Sequence, residues 1–409
     1  MKTAGVSERE VMLRLLIGNA DIAQSAAETV GQKGNWREAI GLAFQWKALP
    51  ELNHQLSVAG IYPPDDVRDD LRSASRKAFL RSAMVAARGL DAIDAIAREG
   101  IAVAAFKGLA LIAVGGPERS SRTLRDVDLL VAEGDVISAV GALERCGYRR
   151  GFPGSLEDYF RFVRNSPGFS GNEAVMLTAP GGCDVDLHWH VGPRGSPMFE
   201  SRSLLARAQS AQVSGRTVPV VGSIEGALLT VHHSLRNNFV PDEMVRDLLD
   251  LAAWLVQLDA RGELAAFSRA ARDCSLQGPA VAMTEILCKL RPGDAVSRAA
   301  SELRAGTTGA MPLVARRIEE LFFLQLRDGP FNADMLYLLS PGAWKLIFGG
   351  ALGGWRHYRE QMAAFEIRKH GAAVPVGRRV ALLWRDAFRA KPSHWSVLRT
   401  LAQSKSQRG

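Results

Sequence analysis

Two aspartates one residue apart interrupt an otherwise apolar run, Leu124-Arg125-Asp126-Val127-Asp128-Leu129-Leu130-Val131. Alternate residues of a β-strand share a face, so a strand here points Asp126 and Asp128 one way and Val127 and Leu129 the other. Carboxylates that close repel each other, and such a pair is tolerated when a divalent cation sits between them or one stays protonated. A matching pattern follows in Cys183-Asp184-Val185-Asp186-Leu187-His188-Trp189-His190-Val191, where Asp184, Asp186 and His188 share a face. Asp126, Asp128 and Asp186 make a hard oxygen donor set of the kind that holds Mg²⁺ against a nucleoside triphosphate. The bland alternative is a set of ion-paired edge residues. A zinc site from His188, His190, His232 and His233 is weaker, because the spacing lacks a well-placed fourth ligand.

Upstream, Lys107-Gly108 follows an apolar stretch, Ile101–Phe106, and Arg122 precedes the acid pair. Together with Asp126-x-Asp128-Leu-Leu-Val and Asp186-Leu-His188-Trp189, these residues resemble the nucleotidyltransferase fold of the DNA polymerase β type. Within that superfamily the likeness is to a bacterial group usually called uncharacterised nucleotidyltransferases, and it covers roughly residues 10 to 260. The resemblance implies an α+β fold: a mixed sheet with helices on one face, flanked by N-terminal and C-terminal helical regions. It implies a transfer of NMP from an NTP donor to a hydroxyl of a small molecule, peptide or protein. Asp126, Asp128 and Asp186 would hold two Mg²⁺ ions, with Mn²⁺ as an alternative, and Asp186 could also take the acceptor's proton. Lys107, Gly108, Arg122 and His188 would meet the nucleotide: Lys107 as a point charge, Gly108 in a tight turn whose N–H groups approach phosphate, and Arg122 as a fork. The Lys-Gly departs from the Gly-Ser of better-studied relatives. Arg125 ranks below Arg122, Ser120 and Ser121 are loop hydroxyls, Trp189 reads as core, and the group's later His and Asp match His232 and Asp250. Three other readings stay open: an RNA acceptor, a non-catalytic regulator or toxin–antitoxin partner, and a nucleotide-sugar donor at the same site.

The chain of 409 residues divides by pattern into four parts. Residues 1–100 read as an amphipathic helical cap, with apolar positions that include Phe79 and Met84 and a final helix over about 72–98. Residues 101–222 alternate strand and helix as the catalytic core, including a helix at 135–146 with Val136, Ile137, Val140 and Leu143 inward and a hairpin of 174–178 with 183–188. Residues 223–365 read as helices, with one opened by Ser223 and another over 242–258. Residues 366–409 form a basic tail: from Ile367 onward ten Lys and Arg face one acid, so that stretch carries +9 and the rest of the chain is about −1 of the net +8. Such a tail suits phosphate backbones, anionic lipid or an acidic partner, or serves only as a solvated face. The most apolar later stretch, Leu336–Trp355, is broken by Pro341, Lys345 and glycines, which argues against a membrane span. Four cysteines without CxxC spacing fit reduced thiols, and no signal segment opens the chain, so the expected compartment is the cytoplasm. Asp126→Asn or Asp128→Asn is expected to leave the fold intact and to relieve repulsion in the metal-free protein.

Overall fold

The computed structural model describes residues 7–115, 122–151, 155–157, 159, 174–193, 196–237, 239–305, 307 and 311–328. The loop hydroxyls Ser120 and Ser121, the apolar stretch 336–355 and the basic tail lie outside the described residues. The chain divides into two compact units, Met1–Pro153 with Glu173–Arg327 and Gly154–Asn172 with Asp328–Gly409. The sheet and every predicted site residue belong to the first.

Seven strands form one mixed sheet: β1 (Val103–Phe106), β2 (Asp126–Val131), β3 (Arg149–Arg150), β4 (Ala174–Thr178), β5 (Asp184–His188), β6 (Gln209–Val213) and β7 (Arg216–Val220). Their order is β3-β4-β5-β2-β1-β7-β6. Strand β2 runs antiparallel to β1 and parallel to β5, while β4 and β5 form the expected hairpin. The β6–β7 hairpin, closed at Ser214-Gly215 with both residues at positive φ, extends the far edge.

Five helices precede the sheet: α1 (Glu8–Ile17), α2 (Ala20–Lys33), α3 (Trp36–Gln45), α4 (Leu49–Val58) and α5 (Asp65–Arg98). Helix α5 begins well before residue 72 because Pro63-Pro64 closes the preceding segment and Asp65 and Asp66 favour the first turn of a helix. Its inward face is built of Val67, Leu71, Val85, Leu90 and Ile93 with small residues between them. Phe79 and Met84, expected inside, are 49% and 63% exposed. Size explains part of this. A Cβ at Gly89 would lie 2.6 Å from Val127 Cγ2, so α5 crosses the sheet too closely for a side chain there. That contact also places α5 on the Val127 face and leaves the other face of β2 to Asp126 and Asp128.

Helix α6 (Lys107–Gly115) follows β1 directly, and α7 (Val136–Arg145) follows β2. Val136, Val140 and Leu143 of α7 are buried, but Ile137 is 50% exposed and is not a core position. After the short α8 (Ser201–Ala206) and the β6–β7 hairpin come α9 (Ser223–Arg236), α10 (Pro241–Ala260), α11 (Leu264–Asp273), α12 (Gln277–Leu290), α13 (Asp294–Ala305) and α14 (Met311–Asp328). Helix α10 is tied back to the N-terminal helices at its first turn. Asp242 there accepts from Trp46 Nε1 at 2.9 Å and Gln45 Nε2 at 3.0 Å, and pairs with Arg9. No described helix is long and apolar enough to cross a membrane.

Candidate active site

The end of β1 sets the geometry. Phe106 is buried in the sheet, and Lys107 turns the chain into α6 with a φ of 51°. A left-handed conformation is uncommon for a residue with a Cβ and is tolerated where the surroundings enforce it. From there the lysine ammonium reaches the acid face: Nζ donates to Asp128 Oδ1 at 2.6 Å. Parallel pairing of β2 with β5 sets Asp126 opposite Asp184 and Asp128 opposite Asp186, so four carboxylates share one face of two adjacent strands. His188 Nε2 lies 3.1 Å from the same Asp128 oxygen, and the Phe106 ring meets the imidazole edge-on at 4.9 Å between centroids.

Protonation follows from burial and neighbours. Burial, the largest influence on Asp128, works to raise its pKa, but Lys107 and His188 together outweigh it and hold the carboxyl well below the usual range. For Lys107 burial is opposed by Asp128, Asp126 and Asp186, and the ammonium is favoured. Burial pushes His188 down, so the ring is neutral and donates from Nε2–H to Asp128. Asp186 is pushed up to about 7 by burial, with the charges of Asp128 and Asp126 adding to it. Two neighbouring carboxylates, one of them paired with Lys107, thus settle into one ionised group and one that holds its proton near neutrality.

The ligating atoms of Asp128, Asp186 and His188 all lie within 4.8 Å of one another. This donor set fits a divalent cation: two carboxylates whose mutual charge is only partly offset by Lys107, plus an imidazole nitrogen. Among the described residues Asp126 stands outside this group, exposed and with no hydrogen-bond or ion-pair partner. Asp184 accepts from Thr178 Oγ1 at 2.8 Å. His190, His232 and His233 join no metal-ligating group among the described residues.

A solvent-open cleft of about 740 Å³ runs from Lys107, Asp126 and Asp128 to α9 and α10. Its far wall is a buried charge cluster. Arg122 Nε and Nη2 fork onto Asp250 Oδ1 and Oδ2 at 2.7 and 2.6 Å, with both side chains 10% exposed. Arg246 donates to the carbonyls of Thr123 and Lys47, the latter at 3.1 Å, and Thr123 Oγ1 reaches the same Lys47 carbonyl at 3.0 Å. Gly108 is no tight turn: it lies in the first turn of α6, where a Cβ would stand 2.3 Å from Arg122 Nη1 and 2.6 Å from Leu124 Cδ2. Its missing side chain admits the arginine. Arg122 is therefore seated by Asp250 and Gly108, while Arg125, just before β2, also lines the cleft.

The N-terminal helices α3–α5, the acid-bearing sheet and the helices that carry Asp250 are thus parts of one compact unit. The model of a family described as uncharacterised nucleotidyltransferase matches residues 32–291, which spans all of them. The chain belongs to that family. No curated protein matches it. The match makes the chain a nucleotidyltransferase, with a mixed sheet and flanking helices as expected.

The structure brings Lys107, Asp128, Asp186 and His188 of this nucleotidyltransferase together around one carboxylate oxygen and its neighbours, with Asp126 beside them on β2. It gives Asp250 to Arg122 as an ion-pair partner. Sequence reasoning missed Arg246 and a second pair, His233 with Asp247, where Nδ1 lies 2.9 Å from Oδ2. A signal for them exists. Arg246, Asp247 and Asp250 recur at helical spacing within α10, whose other central residues are apolar and buried, and a polar stripe in such a helix marks a polar cavity.

Proposed function

We propose that this nucleotidyltransferase has a polymerase β-like core and moves an NMP group from an NTP to a hydroxyl of a small molecule, peptide or protein. The reading rests chiefly on the convergence of Asp128, Asp186 and His188, from adjacent parallel strands, within 4.8 Å of one another beside the lysine at the head of α6. Asp126, Asp128 and Asp186 would hold Mg²⁺, and the imidazole of His188 makes Mn²⁺ an acceptable substitute. A divalent cation there supplies Lewis-acid stabilisation of charge on the phosphate oxygens.

The chain's own groups do the rest. Lys107 presents a fixed ammonium to the phosphates, and the strained backbone beneath it keeps that ammonium at the acid face. The N–H groups of the first turn of α6 add partial positive charge at the same end of the cleft. Arg122, seated by Asp250, fixes the approach of the 122–124 segment to Gly108 and so positions β2. Until a cation is bound, neutral His188 donates to Asp128 and orients that carboxylate.

The test is a thermal-shift screen of the wild type and of Asp126→Asn with each of the four NTPs and with UDP-sugars, with and without Mg²⁺. A rise that needs Mg²⁺, is stronger for one base and is lost in the variant supports the reading and names the donor. Asp126 is chosen because it is exposed and holds no other described residue in place. An equal shift in the variant, or none in the wild type, contradicts the reading.

A further inference from the structure

We infer that His233, held by Asp247, takes the proton from the acceptor hydroxyl. The inference rests on the nucleotidyl-transfer reading above and adds to it the group that activates the acceptor. In that transfer the acceptor oxygen bonds to the α-phosphorus as the bond to the departing pyrophosphate breaks. The electron pair of the broken bond leaves with pyrophosphate, and the hydroxyl proton must go to a base.

The acids of the sheet are poorly placed for this. Asp128 is engaged by Lys107 and His188. Asp186 belongs to the ligating group and Asp126 is given to the cation in the same reading, and a carboxylate that holds a cation is a weakened base. His188 already directs Nε2 at Asp128.

His233 is different. It lines the cleft from α9, with a third of its side chain exposed, while its partner Asp247 on α10 is buried. Nδ1 lies 3.0 and 2.9 Å from the two Asp247 oxygens, and Ser234 Oγ donates to the same carboxylate at 2.6 Å. In the neutral ring the carboxylate at Nδ1 keeps the hydrogen on that nitrogen and leaves the lone pair on Nε2; the same carboxylate raises the ring's pKa, so this base form grows as pH rises. Asn237 Nδ2 sits 3.2 Å from Nε2, one turn along the helix, and so donates where an acceptor hydroxyl would donate. The other charged or titratable groups that His233 feels are Lys107 at the head of α6, Asp128 on β2 and His232 on its own helix. A purely structural tie between α9 and α10 would gain nothing from opening the imidazole onto the cleft.

The experiment uses the full chain and the Mg·NTP that gives the largest thermal shift, with water and glycerol as hydroxyl acceptors. Pyrophosphate release is followed from pH 6 to 9.5 for the wild type, His233→Gln and Asp247→Asn. His233→Gln keeps an amide donor for Asp247, which guards the fold. The expected result is NTP affinity within about twofold of wild type and a rate lowered by about 100-fold at pH 7, the loss shrinking as hydroxide rises. Asp247→Asn is expected to displace the acidic limb of the profile without changing NTP affinity. A His233→Gln rate within threefold of wild type, with the same pH profile, overturns the inference and leaves the nucleotidyl-transfer reading standing. A wild type that binds no Mg·NTP, or releases no pyrophosphate above the blank, overturns both.

Discussion

Two charge clusters face each other across the cleft, and they differ in balance. On the sheet, Asp126, Asp128, Asp184 and Asp186 share a face with one ammonium, that of Lys107. On the far wall, Arg122 forks onto Asp250, and half-buried Arg246 feels Glu51 and Asp250. The second cluster has acids and bases in equal number and its main ion pair is closed on itself. The first keeps an excess of carboxylate, and its strain shows in Asp186, which holds a proton up to about pH 7. A closed pair fixes the chain; an excess of one sign invites a ligand of the other.

The contrast can be broken by substitution. The largest effect is expected for Arg122→Met, which leaves the buried Asp250 carboxylate without its guanidinium and costs about 3–5 kcal/mol in chemical denaturation. A loss below about 1 kcal/mol would show that the far wall is no fixed element. Asp128→Asn comes next, and here the structure corrects the expectation of relief from repulsion. Asp128 is the partner of Lys107 and His188, so its removal is expected to cost the metal-free protein about 1.5–3 kcal/mol. Asp126→Asn, which touches neither, should leave the metal-free melting temperature within a degree or so of wild type, about 0.5 kcal/mol at most. Gly108→Ala is expected to cost about 1–3 kcal/mol, since the new methyl meets an arginine that Asp250 prevents from moving aside; a neutral result would mean that Arg122 can swing free.

A further effect depends on pH. The folded-state pKa of Asp186, about 7, lies above its ordinary value of 3.8. The stability it contributes is complete below the ordinary value and is lost as pH rises through about 7. Asp186→Asn has no such loss, so in EDTA its melting temperature should gain on wild type between pH 4 and about pH 7 and level off above that. Parallel melting curves over that range would contradict the raised pKa.

Much of this was legible in the sequence where local pattern and chemistry coincide. The Asp-x-Asp strand, the β4–β5 hairpin and the positions of α9 and α10 follow from period-two and helical spacing, while Asp186 beside Asp128 was what the family resemblance implied. Contacts between distant segments were not legible. Arg122 and Asp250 are 128 residues apart, and nothing in either segment announces the other. Gly108 was read as a turn because its neighbour in space, Arg122, lies on a different segment. The pairing of Asp128 with Lys107 was hidden for the same reason, which made two chemically identical aspartates look interchangeable. Phe79 and Met84 misled in the opposite way: apolar residues at helical spacing on α5 were read as core, yet the tight approach at Gly89 turns a different face inward.

The most direct test of the carboxylate-excess cluster as a metal–nucleotide site is Mn²⁺ binding followed by electron paramagnetic resonance. Free Mn²⁺ would be titrated against wild type, Asp186→Asn and Arg122→Met in the presence of the best-bound NTP. Wild-type uptake of Mn²⁺ that depends on the nucleotide, is lost in Asp186→Asn and survives in whatever fraction of Arg122→Met remains folded is the predicted result. Equal uptake by wild type and Asp186→Asn, or none by either, would contradict it.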